Sequence, residues 1–328
     1  MKNTLIHKIY KKILLVTLFF ALGGIQANAI TIGWTSYPAD IPVIADAIQG
    51  GKDEAKRLGA EVVFALAAGP AAQANSMDDL IARGVDVLAV NPEDSKAIGA
   101  SVKKANAAGI PVVMWIGDNL GGGTTVSLVS SDEELGGYSI AKWGFNRLGG
   151  QGRVVFIQGA IAHQAGLNRE NGFRRAMKKY PSVELAGYGE ANWMRDKAYS
   201  LASDMITRDP DIELIFAMSD AMAKGVLSAV KSSGSSQKIT GYNGDCETLN
   251  SIWNDGILAT LYQGWRDIGA QVIRTSLDVA KGKSVPKKII MPTFVVDKPS
   301  MAAIVAGTHD DATPGLKYDA KKAIAGCK

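Results

Sequence analysis

Short, continuously apolar segments alternate with longer segments of helical periodicity along most of the chain. In the first half, the apolar segments predict strands over 31–35, 61–65, 86–90, 110–115 and 126–130. Helices are predicted between them over 42–58, 72–83 and 95–108, each followed directly by a glycine that favours helix termination. Strands that are apolar throughout are typical of a parallel sheet covered by helices on both faces. The first half therefore predicts a layered α/β fold.

The second half repeats this pattern. Helices are predicted over 133–148, 166–179, 195–208 and 220–232, and strands over 153–158, 184–188, 214–217, 238–242 and 258–262. A late helix over 267–281 precedes a last strand over 294–296, which is best explained if the chain crosses back to the first half and returns. We therefore predict two Rossmann-like lobes, one of residues 30–131 with 264–291 and one of residues 132–263 with 292–328. Two such sheets facing one another place their strand ends around a shared crevice, where ligands bind.

The N-terminal residues have the features of a secretory signal peptide. Four lysines precede an apolar segment over 13–22, and Ala27-Asn28-Ala29 supplies the small residues that signal peptidase recognises. The apolar segment is shorter than the ~20 residues that span a bilayer, although an N-terminal anchor remains the alternative. Cleavage after Ala29 lowers the formal net charge from +4 to zero, because residues 1–29 hold four lysines and no acid. We expect export to the periplasm of a Gram-negative cell, and no nucleic-acid binding by a neutral mature chain.

Residues that often act in catalysis are few in this chain, which argues against an enzyme. The chain has two cysteines and three histidines, and it contains no GxSxG, HExxH or GxxxxGK[ST] motif. The sequence His309-Asp310-Asp311 is the one candidate for a metal, but three adjacent residues rarely form a site. We therefore expect no catalysis, no cofactor and no metal. In an exported protein Cys246 and Cys327 are free to form a disulfide, and two unpaired thiols are the alternative.

Seven strings along the chain carry a resemblance to a known family. They are DEAKRLGAEVVF, DLIARGVDVLAVNPEDS, ANAAGIPVV, SDEELGG, NRENGFRRAM, AMSDAMAKG and ITGYNGD. Their order and spacing resemble the periplasmic ribose-binding protein family, the solute receptors of sugar ABC importers. The likeness extends from about Thr31 to Lys298. It implies a type I periplasmic binding protein fold, in which two lobes joined by three hinge crossovers close around a sugar.

The same resemblance implies a set of ligand-binding residues. Asn91 matches a polar contact of the first lobe, and Arg169 matches an arginine that reaches into the cleft from the second. The remaining matches are Trp193 and Arg195 in NWMRD, Ser219 before the aspartate of the AMSDAMAKG string, Asn243 in place of an aspartate, and Gln263 at a hinge. Planar amide and guanidinium groups pair with sugar hydroxyls in fixed geometry, and aromatic rings cover the apolar sugar faces.

Two departures from the family concern the first lobe. Ile41-Pro42-Val43-Ile44 stands where ribose binders carry two aromatic residues, so we expect Tyr37 and Trp34, or Trp115, to supply the aromatic surface. Ile116 stands where the family has an aspartate.

Asp118 and Asp40 are the two candidates for the missing carboxylate, and the sequence leaves that choice open. These changes put ribose itself in doubt, but they are compatible with another sugar or a sugar alcohol.

The sequence thus predicts a monomeric receptor that delivers a monosaccharide or sugar alcohol to a membrane ABC permease. Two alternatives stay open. The same fold is able to report its ligand to a chemoreceptor or a sensor kinase, and Arg169 with Arg195 permits an anionic or signalling ligand.

Overall fold

The computed structural model describes residues 29–309 and 314–327 of the 328-residue chain. All but the last residue of the predicted signal peptide, as well as Asp310 and Asp311, lie outside the described residues. Within the described part of the chain, no helix combines the length and apolar character needed to cross a membrane.

Twelve strands form two six-stranded sheets in these described residues. The strands are β1 Thr31–Thr35, β2 Glu61–Phe64, β3 Val87–Val90, β4 Val112–Trp115, β5 Ser127–Ser131, β6 Gln151–Gln158, β7 Ser182–Glu190, β8 Leu214–Ala217, β9 Lys238–Asn243, β10 Ala259–Gln263, β11 Lys288–Met291 and β12 Thr293–Asp297. The first sheet has the order β11-β5-β4-β3-β1-β2 and the second has the order β12-β10-β9-β8-β6-β7. Every pairing is parallel except that of β12 with β10. The predicted α/β class is confirmed.

Eleven helices accompany these strands in the same part of the chain. They are α1 Pro42–Leu58, α2 Pro70–Ala82, α3 Gly99–Ala107, α4 Glu133–Arg147, α5 Gln164–Met177, α6 Arg195–Arg208, α7 Asp220–Ser233, α8 Cys246–Trp253, α9 Trp265–Ala280, α10 Lys298–Ala306 and α11 Pro314–Ile324. Helix α1 shows how the sequence sets these bounds. Pro42 occupies its first turn, where a missing N–H has no cost, and Gly59 ends it in a left-handed conformation at φ 68°.

The chain passes between the two sheets three times, at Asp132, Gly264 and Pro292. After the second passage, α9 packs on α1 of the first lobe. Two glycines permit this close approach, because a Cβ on Gly50 would overlap the carbonyl of Arg266 and a Cβ on Gly269 would overlap the carbonyl of Ala47. The late helix α9 therefore packs with the helices of the first lobe. The three crossovers expected of the fold are present.

Candidate functional site

A cavity of about 240 Å³ lies between the lobes, at the carboxyl ends of both sheets. Several strands deliver a side chain to it from the residues that follow their ends: Tyr37 after β1, Asn91 after β3, Ser219 after β8. Seven of the residues predicted as ligand contacts line this cavity, namely Tyr37, Asp40, Asn91, Arg169, Trp193, Ser219 and Asn243. Parallel sheets bind ligands at this edge, so the cavity is the candidate site.

Arg169 is the charged centre of the second-lobe wall. It is 3% exposed and donates from Nε to Glu133 Oε2 at 2.8 Å and from a terminal nitrogen to the Met218 carbonyl at 2.7 Å. Its guanidinium lies 3.8 Å from the ring centroid of Tyr242. Burial by itself lowers the pKa of Arg169, but the charges of Glu133 and Tyr242 outweigh this effect. The net result is a raised pKa, so the guanidinium stays charged. The arginine is thus held in place by its own lobe and keeps N–H groups for the cavity.

Gln263 does not line the cavity, contrary to the contact that the resemblance implies for it. Its Nε2 donates to Glu133 Oε1 at 2.7 Å, and its Oε1 accepts from Arg169 and from Asn243 Nδ2, both at 3.4 Å. Both ends of the amide are therefore engaged within the protein. The residue lies directly before the Gly264 crossover and connects the hinge with two cavity residues.

A buried aspartate shapes the turn that directly follows Asn243, the last residue of β9. Asp220 accepts the backbone N–H groups of Gly244 at 2.6 Å and Asp245 at 2.7 Å, and the Thr260 hydroxyl at 2.7 Å. Burial, followed by the charge of Asp245, raises the pKa of Asp220. Asn243 adopts φ 118°, a conformation that favours glycine and indicates local strain.

Two further cavity residues share this kind of backbone strain, Ile116 at φ 59° and Trp193 at φ 65°. A branched side chain such as that of Ile116 rarely adopts positive φ. Strained residues cluster at binding sites, where the surrounding structure holds them. Three of them around one cavity support its assignment as the functional site.

The first-lobe wall has an apolar part beside Tyr37, Asp40 and Asn91. This part is formed by Ile41, Pro42, Val43 and Ile44 at the start of α1, together with Trp265 at the start of α9. Trp265 is a cavity residue that the sequence reasoning missed.

The aromatic side chains expected in the first lobe are divided between cavity and core. Tyr37 lines the cavity, and its pKa is raised by burial and by Glu93, against a smaller lowering from a hydrogen bond with Trp193 across the cleft. Trp34 and Trp115 are fully buried and pack on each other at 4.7 Å between ring centroids. They belong to the core instead, because β1 and β4 are interior strands with helices on both faces.

Two other predicted contacts lie outside the cavity. Arg195, at the start of α6, is exposed, and its guanidinium donates to Ser228 Oγ at 3.5 Å. Asp118 lies at the edge of the cleft, where its carboxylate accepts the backbone N–H of Asn119 at 2.8 Å. Of the two candidate carboxylates, Asp40 is the one that lines the cavity.

His163 is the cavity residue that sequence reasoning overlooked most clearly. It is 2% exposed, caps the N-terminus of α5 by accepting the Ala165 N–H at its Nδ1, and lies 3.1 Å from Asn91 Oδ1 through Nε2. Burial, followed by the charge of Arg169, lowers the pKa of His163 from 6.5 to about 3. A histidine before a helix is a possible cap, but nothing in the sequence pairs it with Asn91.

Cys246 and Cys327 form a disulfide, with their Cα atoms 5.7 Å apart. Cys246 begins α8 directly after Asp245, a cavity residue, and the bond ties α11 to that helix. The described residues contain no group of three or more metal-ligating side chains close enough to share an ion.

Comparisons with known proteins agree with this fold. Residues 32–284 match the family described as periplasmic binding protein domain. The chain is 32% identical to the ribose import binding protein RbsB of Bacillus subtilis over 80% of this chain and 85% of that protein, and 29% identical to a xylitol-binding protein of Mycolicibacterium smegmatis over 85% and 82%. An ABC transporter solute binding protein from Mycobacterium smegmatis, solved with bound glycerol, superposes with a TM-score of 0.80 at 29% identity over 85% of this chain and 97% of that one. The chain belongs to the periplasmic binding protein family.

Proposed function

We propose that the protein is a periplasmic receptor that binds a monosaccharide or sugar alcohol between its lobes and delivers it to a membrane ABC permease. The family relatives named as a ribose import binding protein and as a xylitol-binding protein support this ligand class. We further propose that residues 1–29 are a cleaved signal peptide, that the receptor is a monomer, and that it performs no chemistry.

The observation that carries the proposal is the combination of fixed polar groups and apolar surface in one cavity. Both lobes offer polar groups, among them Arg169 and Asn243 of the second lobe and Asn91 of the first, and the start of α1 adds apolar surface. A sugar or polyol presents hydroxyl groups along its edge and C–H groups on its faces. Fixed polar groups suit the hydroxyls, and apolar or aromatic surface suits the C–H groups.

The electrostatics disfavour the alternative of an anionic ligand. The positive charge of Arg169 is already paired with Glu133 at 2.8 Å, and Arg195 lies outside the cavity. Asp40, Asp220 and Asp245 also line the cavity. An uncharged, hydroxyl-rich solute therefore fits this cavity better than an anion does.

A thermal-shift screen with D-ribose, D-allose, xylitol and glycerol tests the proposed ligand class. A ligand present at 100 times its dissociation constant should add ~2.7 kcal/mol to the free energy of unfolding. We expect Trp193→Ala to lose this ligand-induced increase, because the indole lines the cavity, and Arg195→Ala to retain it. An increase with phosphate or sulfate but with no carbohydrate would contradict the proposed ligand.

A measurement of ligand uptake by cells distinguishes a transport function from a sensing function. Cells that lack the receptor should lose uptake of the radiolabelled ligand, whereas a receptor that reports only to a chemoreceptor or a sensor kinase would leave uptake unchanged.

A further inference from the structure

The segment that leads into α5 and includes its first two residues binds to the opposite lobe across the cleft. Residues 160–165, here called the seam loop, accept the Ser95 N–H at the Ala162 carbonyl at 3.0 Å and donate the Gln164 N–H to Ser95 Oγ at 3.1 Å. The Gln164 side chain accepts the Asp118 N–H at 3.2 Å. The seam loop is therefore the second-lobe part of a contact that exists only when the lobes are together.

In the seam loop, the side chain of His163 contacts the first lobe directly. A Cβ on Gly117 of the first lobe would lie 2.6 Å from its Nε2, so only glycine leaves room for the imidazole. The ring lies between the lobes and also beside the cavity.

The hydrogen bonds of His163 determine its tautomer. The Ala165 N–H is a donor and points at Nδ1 at 3.1 Å, so Nδ1 carries no proton. The proton of the neutral ring is then on Nε2, which donates to Asn91 Oδ1 at 3.1 Å. The oxygen of Asn91 is consequently engaged. No described residue accepts from its Nδ2, which leaves this amide nitrogen as the donor that Asn91 offers to the cavity.

We propose that His163 is an inter-lobe latch: the neutral imidazole holds the cleft closed and turns the amide N–H groups of Asn91 toward the bound solute. His163 is thus a positioning residue, acting on the ligand through Asn91. The ligand atom next to Asn91 has to be a hydrogen-bond acceptor, such as a hydroxyl or ring oxygen. A protonated ring cannot form this arrangement, because an Nδ1–H would face the Ala165 N–H.

The surroundings of the ring decide the direction of a pH effect. Arg169 on its own helix lowers the pKa of His163 and Asp94 of the first lobe raises it, with burial as the dominant cause. The rings of Tyr37 and Trp193 lie 6.1 Å and 6.2 Å away and carry no charge. The closed form thus excludes a proton that the open form takes up, so acid favours opening.

Affinity should accordingly fall as the pH is lowered. With an open-form pKa near 6.5 and a closed-form pKa of about 3, the wild type should lose about 30-fold in affinity between pH 8 and pH 5. Carboxyl groups with raised pKa, such as Glu93, act in the opposite sense. They are present in the wild type and in every His163 variant, so they cancel in the ratio of affinities.

Titration calorimetry with D-ribose and with xylitol between pH 5 and pH 8 tests the latch. His163→Asn keeps the helix cap, because an Asn side chain accepts at the same position, but it lacks the donor that reaches Asn91. At pH 8 we expect His163→Asn to bind the solute about fivefold more weakly than the wild type does. Between pH 8 and pH 5 the ratio of wild-type affinity to variant affinity should fall about 30-fold. The matched control His309→Asn, outside the cavity, should keep the wild-type pH dependence. A His163→Asn variant with the wild-type pH dependence would overturn the proposal.

An NMR titration of the imidazole nitrogens tests the latch without relying on the proposed ligand class. In wild type we expect the Nε2–H tautomer and a pKa below that of the same ring in Asn91→Ala, where the closed contact is weakened. An imidazole that titrates identically in both proteins, alone and with either probe, would overturn the latch. If neither probe binds but the imidazole responds to Asn91→Ala, the latch stands and the proposed ligand is wrong.

Discussion

Replacing Arg169 by Met should destabilise the protein as well as weaken binding, because the arginine neutralises a buried carboxylate. Glu133 and Arg169 are each 3% exposed. Glu133 accepts three hydrogen bonds, from Arg169 at 2.8 Å, Tyr242 at 3.0 Å and Gln263 at 2.7 Å. The variant loses the one charged donor and keeps the two neutral ones. Removing one partner of a buried ion pair costs about 3–5 kcal/mol, and the two remaining donors place the expected loss near ~3 kcal/mol.

The assay is urea unfolding followed by far-UV circular dichroism at pH 7.5. Without Arg169, the carboxylate of Glu133 stays buried with no opposing charge, and this cost is what the unfolding measurement reports. In Arg169→Met/Glu133→Gln the loss should be at least ~1 kcal/mol smaller than the sum of the single losses, because the two residues interact directly. A single variant within ~0.5 kcal/mol of wild type at pH 7.5 would refute this account.

Two other predictions concern stability alone. Glu93 has a buried, unpartnered Oε1, and burial raises its pKa from 4.5 to about 7. The folded state thus binds the extra proton, and stability should rise as the pH falls through 7. Glu93→Gln should be about 1–2 kcal/mol more stable than wild type at pH 8, after allowance for solvent screening, and no more stable at pH 4.5. Urea unfolding measures this, with the exposed Glu61→Gln as control, and equal gains at both pH values would contradict it. Reducing the Cys246–Cys327 bond, which spans 81 residues, should lower the free energy of unfolding by up to ~4.5 kcal/mol. Unfolding with and without dithiothreitol gives this difference, and Cys246→Ser should abolish the effect of the reductant.

The regular parts of the fold were predictable because local pattern and tertiary role coincide. The helix over 42–58 and the strand over 214–217 have the predicted bounds, since a proline, a glycine or a change of periodicity marks their ends. Helix α3 begins at Gly99 instead of residue 95, because Asp94 accepts the N–H groups of Lys96 and Ala97 in a preceding turn.

Four elements were not predicted, and each depends on distant partners. The strand β11 is a short edge strand that pairs only with β5, far away in sequence. The helices α10 and α11 lie in the C-terminal tail, and Cys327, just after α11, is joined by the disulfide to Cys246 of α8, which was also not predicted. Short segments of this kind carry too few residues for periodicity to identify them.

At the site, the sequence predicted seven of the residues that line the cavity, but it missed His163 and Trp265 and gave Gln263 a ligand contact that the cavity does not show. Arg169 and Asn243 follow from the resemblance, whereas the role of Gln263 is set by three hydrogen bonds within its own lobe. Trp115 was a candidate for the aromatic surface of the cavity but lies in the core, because the face of a buried strand to which a side chain points depends on the sheet around it. His163 was overlooked because its partner Asn91 is 72 residues away on the other lobe.

The three crossovers also determine the order in which the molecule can assemble. In the second sheet, strands β6 to β10 form from one continuous stretch of chain, and β12 pairs with β10, which is near it in sequence. The first sheet instead needs β11, which pairs Leu128 with Lys288, 160 residues later. Closing so long a loop costs more entropy than forming nearby contacts, so we expect the second lobe to fold first. Trp265, on the late helix α9, completes the cavity wall. We therefore expect solute binding only after nearly the whole chain is available. A molecule that holds solute is then one that has finished folding.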